Sequence, residues 1–163
     1  MAERKPTFSW LLHKPLCFLG FGFGSGLSPV APGTAGTLAA LPLAFVLCLL
    51  GIDGWILLLL CIALFFWGIR ICGYTERELG IQDYGGIVWD EIVAVFLVLL
   101  AVPEVSLFWC TIAFVTFRLF DILKPYPIRY FDEKLTNGFG IMVDDILAAG
   151  YSILVILALA HFI

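Results

Sequence analysis

Charge is what this chain has least of. Of its 163 residues only 13% are Asp, Glu, Lys or Arg, 62% are hydrophobic, and mean hydropathy is +1.06. A soluble domain carries about 25% charge and about 45–50% apolar residues, so the shortage excludes that class and implies an integral membrane protein. The length suits one compact bundle without a second domain, and residues 1–163 are read as a single membrane-embedded domain. A formal net charge of -4 and the lack of any Lys/Arg cluster exclude nucleic acid as a partner. Five cysteines (17, 48, 61, 72 and 110) fall at no metal or redox spacing and are read as small core residues. No A-x-A site closely follows the apolar "PLCFLGFGFG", so cleavage of a leader is not expected. Internal repeats and low-complexity tracts are also missing.

What is present is a series of apolar runs, at about 34–51, 55–73, 87–102, 106–123 and 141–162. A membrane crossing takes about 20 residues. The first run contains Pro42 and is read as a kinked span beginning near Thr34 or Thr37. The third serves as a span only if its carboxylates lie near one membrane surface. Ahead of them all, 15–27 is apolar but glycine-rich, an interfacial or re-entrant segment. The expected fold is all-α: a polytopic membrane helix bundle of about five transmembrane helices plus that Gly/Pro-rich entry.

Positive charge sets the orientation. Arg4, Lys5 and Lys14 precede the first span, Arg70 and Arg77 flank the link after the second, and Arg118, Lys124, Arg129 and Lys134 surround the link after the fourth. The remaining links, "GIDG" and "PEVS", hold no Lys or Arg. Five spans put all nine basic residues on one side, with a cytoplasmic N-terminus and a C-terminus across the membrane. Trp10, Trp55 and Trp109 lie near the expected boundaries, as interface anchors do. Asp132, Glu133 and Lys134 are read as a wet loop surface.

That topology brings acids to one depth. Asp90 and Glu91 open the third span, Asp121 lies near the cytoplasmic end of the fourth, and Asp144 and Asp145 lie just inside the fifth. Either pair alone is explained by a helix N-terminus, whose dipole favours negative charge. Asp121 stands at the opposite, unfavourable end. A carboxylate at mid-bilayer costs about 2.5–3.5 kcal/mol, less near the interface, and five massed at one level repel one another. Arg118 and Lys124, three residues before and after Asp121, share its helix face and offset part of this charge. A divalent cation would supply the rest, and magnesium favours carboxylate oxygens, retained waters and substrate phosphate.

"GFGSGLSPVAPGTAGTL", positions 22 to 38, adds flexible backbone, the hydroxyls of Ser25, Thr34 and Thr37, and a helix start near Gly33 whose free N–H groups suit an anion. It lacks the G-K-[ST] of a P-loop. Beside a cation site it reads as a phosphate cradle. Other phosphatase chemistries fail on inspection. No cysteine is followed six positions later by arginine, no D-x-D precedes a suitable strand, and the two histidines, His13 and His161, lie at opposite ends of the chain. Carboxylates assisted by a metal remain.

"GSGLSPVAPGTAGTL", "IVWDEIVA", "FRLFDILKPYPI" and "GFGIMVDDILAAGY" together resemble the phosphatidylglycerophosphatase A family of bacteria, over about 24 to 151. Asp90 and Glu91 match that family's D-E, Asp121 and Lys124 its D and K, and Asp144 and Asp145 its D-D. Gly85 stands where a proline is frequent, which alters loop stiffness and little else. The resemblance implies a magnesium-dependent phosphatase of the inner membrane that converts phosphatidylglycerophosphate to phosphatidylglycerol and phosphate. Asp90, Glu91, Asp121, Asp144 and Asp145 would be both catalytic and metal-binding. Lys124, Arg118, Thr34, Thr37, Gly33 and Ser25 would hold substrate phosphate. One carboxylate serves either as general base or as nucleophile. Two rival readings are a cation or proton transporter using the same acids, and a scaffold that binds anionic lipid through its basic loops.

Overall fold

The computed structural model describes residues 6–163; Arg4 and Lys5 of the basic arm lie outside the described residues. Every regular element among the described residues is helical. In chain order they are α1 (Phe8–Leu12), α2 (Pro15–Gly20), a 3-10 segment (Gly22–Leu27), α3 (Pro32–Leu49), α4 (Gly54–Leu79), α5 (Trp89–Leu99), α6 (Leu107–Leu123), α7 (Ile128–Lys134) and α8 (Gly138–Phe162).

Local chemistry sets most of these boundaries. Pro32 opens α3, where its fixed φ is already helical and its missing N–H costs nothing. α4 stops at Gly80, whose φ of 70° is the left-handed cap that glycine adopts without strain. The Ser106 hydroxyl accepts from the Trp109 N–H at 3.4 Å to start α6, and Asn137 Oδ1 accepts from the Gly140 N–H at 3.0 Å to start α8. α3 runs as one helix through Pro42.

Among the described residues, three helices are long and apolar enough to cross a membrane by length and composition: α3, α4 and α8, of 18, 26 and 25 residues. The runs at 87–102 and 106–123 become α5 and α6, of only 11 and 17 residues, both below the usual crossing length of about 20. The count of about five spans therefore meets three helices of crossing length. α5 is the informative departure. At 1.5 Å per residue it is about 16 Å long, and every residue except Leu97 is buried, with α3, α4 and α8 packed around it. A helix that is apolar on all sides belongs in a core. Its first turn nevertheless carries Asp90 and Glu91.

The glycine-rich entry folds as short helices against this bundle. α2 packs on α4 and the 3-10 segment on α3. The Val88 N–H donates to the Gly20 carbonyl at 2.8 Å, fastening the entry to the start of α5. Lys14 pairs with Glu78 of α4, and that hydrogen bond holds its ammonium above the usual lysine range. Of the tryptophans expected at interfaces, Trp55 is exposed, whereas Trp109 is buried in the core beside Ala113 and Phe117.

Candidate active site

The five predicted acids arrive from three helices by different local routes. Asp90 and Glu91 occupy the first turn of α5, where the dipole favours them. Asp121 lies in the last turn of α6. Asp144 and Asp145 are the seventh and eighth residues of α8, beyond its first turn. The dipole fades within that turn, so a helix start does not account for them.

Two cations tie the elements together. Arg118 Nη1 donates to Glu91 Oε1 at 3.1 Å and also to Asp121 Oδ2, joining α5 to α6. Lys124 Nζ donates to Asp132 Oδ1 at 2.5 Å and to Asp144 Oδ2 at 2.7 Å, joining the end of α6 to α7 and α8. Asp90 and Asp145 are 8% and 3% exposed and take part in neither bridge. Asp90, Glu91, Asp121 and Asp144 all lie within electrostatic range of Asp145.

The cluster is under-satisfied. Six buried side-chain polar atoms among the described residues have no hydrogen-bond partner, and five belong here: Asp90 Oδ1, Glu91 Oε2, Arg118 Nε, Asp144 Oδ1 and Asp145 Oδ2. Native proteins rarely leave such atoms unpaired, because desolvation without a partner costs about 1–3 kcal/mol each, more when charged. Free, hard carboxylate oxygens of this kind suit magnesium, which also brings its own waters. That donor set fits the ion. Among the described residues, however, no group of three or more His, Cys, Asp or Glu is closed up as a ready-made metal cage.

The phosphate-cradle residues divide. Gly33 touches the cluster: a Cβ there would sit 2.2 Å from Glu91 Oε1 and 3.1 Å from Arg118 Nη1. Gly36, which the sequence reading passed over, behaves alike, its Cβ falling 2.5 Å from that of Val88 and 3.0 Å from Glu91 Oε2. The two lie one turn apart, and together they let α3 press onto the start of α5. The Thr37 hydroxyl is buried and donates to the Gly33 carbonyl at 2.9 Å. Ser25 donates to the Gly22 carbonyl at 2.8 Å, closing its own turn. Thr34 is half-buried in the first turn of α3. The cluster therefore meets the backbone of this segment more directly than its hydroxyls.

Asp132 corrects the reading of 132–134 as plain wet surface, since it is one of the two anchors of Lys124. The only available signal was its place eight residues after Lys124, which names no partner when a chain reversal intervenes. A cavity of about 540 Å³ lies at the far end of α5 between Leu41, Phe45, Leu57 and Leu99, away from the acid cluster. A smaller polar cavity of about 190 Å³ is lined by Asp132 and Asp144 together with Glu76, Gln82, Thr136 and Asn137. The first is the larger of the two; the second is the one lined by Asp132 and Asp144.

Comparison with known proteins agrees with the motif blocks. The family model of phosphatidylglycerophosphatase A matches residues 18–160. A phosphatidylglycerophosphatase A of Haemophilus influenzae is 49% identical over 163 residues, covering 99% of both chains. The Escherichia coli phosphatidylglycerophosphatase A is 40% identical over 153 residues, 92% of this chain and 86% of its own length. No solved structure matches the chain. A family model matched over most of the sequence, with relatives this similar along nearly their whole length, shows that the chain belongs to the phosphatidylglycerophosphatase A family.

Proposed function

We propose that the chain is a membrane phosphatase that hydrolyses the terminal phosphate monoester of phosphatidylglycerophosphate, releasing phosphatidylglycerol and inorganic phosphate. The observation that carries this reading is the pair of cations, Arg118 and Lys124, each held between two carboxylates beside buried acid oxygens without partners. The names of the relatives supply the substrate class.

In this reading Arg118 and Lys124 contact the phosphoryl oxygens, over which transition-state charge is spread. The Gly33 backbone closes the pocket behind Glu91. Water attacks phosphorus as the ester P–O bond breaks, and the glycerol oxygen leaves as the alcohol, taking up the proton that the attacking water gives up. A carboxylate of the cluster acts as the base that takes the water proton, or instead attacks first to form an acyl-phosphate that water then opens. Asp90, Glu91, Asp121, Asp144 and Asp145 would hold magnesium, directly or through water; when bound, it would supply charge neutralisation and a more acidic water. Five spans, α3 to α6 and α8, with the cluster facing the cytoplasm at the inner membrane, accord with the basic residues, which that topology puts on one side. The transporter alternative is disfavoured by α5, which beyond Glu91 offers only Ile, Val, Ala, Phe and Leu.

The test is phosphate release from phosphatidylglycerophosphate in detergent micelles, with magnesium and with chelator. Asp121→Asn and Asp144→Asn are each expected to lower turnover by about 100-fold or more, the scale of a lost acid–base group. Near-normal turnover in both variants refutes the site. Full activity in chelator refutes the metal alone.

A further inference from the structure

Asp132 lies on short helix α7, outside the five-acid cluster, yet it contacts Lys124 more closely than Asp144 does. We infer that Asp132 is a positioning residue: it fixes the Lys124 ammonium between itself and Asp144 and so aims the remaining donor at the phosphoryl group. This builds on the phosphatase reading and assigns work to a residue that the family motif blocks do not contain.

The geometry explains why Lys124 needs a second anchor. Its backbone is left-handed, φ 43° and ψ 60°, at the cap that ends α6 ahead of Pro125. Glycine or asparagine is the usual occupant of such a cap, so a lysine there is strained. From that corner a flexible four-carbon stem carries the ammonium, and such a stem does not fix its own direction. Asp144, 2.7 Å from the ammonium, fixes one of its directions and leaves rotation about that contact free. Asp132 supplies the second contact. It sits on a helix anchored by Ile128, which is fully buried, and α7 packs against α8, the helix that carries Asp144. An ammonium has three donors, and two are spent on these carboxylates. The third remains for a phosphoryl oxygen. Both aspartates that hold the lysine line the polar cavity of about 190 Å³.

The experiment is a double-mutant cycle on phosphate release, with Asp132→Asn, Lys124→Ala and the pair, each confirmed as folded by its elution and circular dichroism. Asp132→Asn is expected to lower kcat by about 10-fold while KM changes less than about 2-fold, because the contact it aims strengthens in the transition state. Asp132→Glu restores much of the loss. In the Lys124→Ala background Asp132→Asn costs less than about 2-fold, the non-additivity of groups acting as a unit. Equal losses in both backgrounds, or a KM effect alone, overturn the inference. A chain that releases no phosphate refutes the phosphatase reading instead, and the cycle is then read on affinity for inorganic phosphate. There, a loss on Asp132→Asn that depends on Lys124 supports the positioning role, and independence refutes it.

Discussion

Arg118→Ala is expected to abolish turnover and to destabilise the fold together. The guanidinium lies between Glu91 and Asp121, and all three side chains are only 11–15% exposed. Its removal leaves two neighbouring carboxylates buried without their counter-charge. Breaking one member out of a buried ion pair costs about 3–5 kcal/mol, mostly as the penalty on the charge left behind. Loss of a phosphoryl-contacting donor lowers kcat by about 100- to 1,000-fold. Arg118→Lys keeps the charge but not the planar fork that reaches both acids, so it is expected to recover stability more than activity. The decisive variant is Arg118→Ala combined with Glu91→Gln. Removing one orphaned charge restores part of the melting temperature in detergent while turnover, which also loses the Glu91 carboxylate, stays at or below the Arg118→Ala level. Recovery of both together would make Arg118 a purely structural counter-ion.

Gly140→Ala carries the second large effect, by a different route. A Cβ at Gly140 would lie 1.8 Å from the Leu135 carbonyl oxygen and 2.6 Å from its carbon, a backbone obstacle that no rotamer can relieve. The Gly140 N–H also donates to Asn137 at the start of α8. Residues 135–137 link α7 to α8, so relief of the clash must shift Asp132 on one side or Asp144 and Asp145 on the other. Overpacking of this kind costs about 3 kcal/mol or more, about 10 °C in melting temperature for a chain this size. Turnover is expected to fall with it. Gly150→Ala, ten residues along the same helix, meets nothing within 4 Å and serves as the matched control. It should melt at or slightly above the parent, since alanine is favoured over glycine in a helix by up to about 1 kcal/mol. Equal behaviour of the two variants would contradict the close approach at Leu135.

Much of this was legible in the residues themselves. Apolar runs placed α3, α5, α6 and α8 to within about three residues at each end, and α4 except for its last six, because hydrophobic length and turn-forming Gly, Pro and Asn are local properties. The acids were legible for the opposite reason. A carboxylate inside an apolar run is costly enough that Asp90, Glu91, Asp121, Asp144 and Asp145 stand out one by one, and the motif blocks around them sufficed to identify the family.

What the sequence left open is what depends on neighbours far along the chain. Asp132 looks like any charged loop residue until Lys124 is placed beside it, and Gly36 looks like helix filler until Val88 is found 2.5 Å from where its Cβ would go. The pairing of Arg118 with Glu91, 27 residues away, follows from how α5 and α6 pack, and no spacing rule reaches that far. The run at 87–102 likewise read as a span with its carboxylates near one membrane surface and nothing to say what surrounds it, because hydropathy is the same whether lipid or protein surrounds a helix. Only the arrangement of α3, α4 and α8 around α5 decided in favour of protein. The chain alone determined which groups are out of place in an apolar phase; the tertiary structure decided which of them answer one another, since charge compensation is a matter of distance in space.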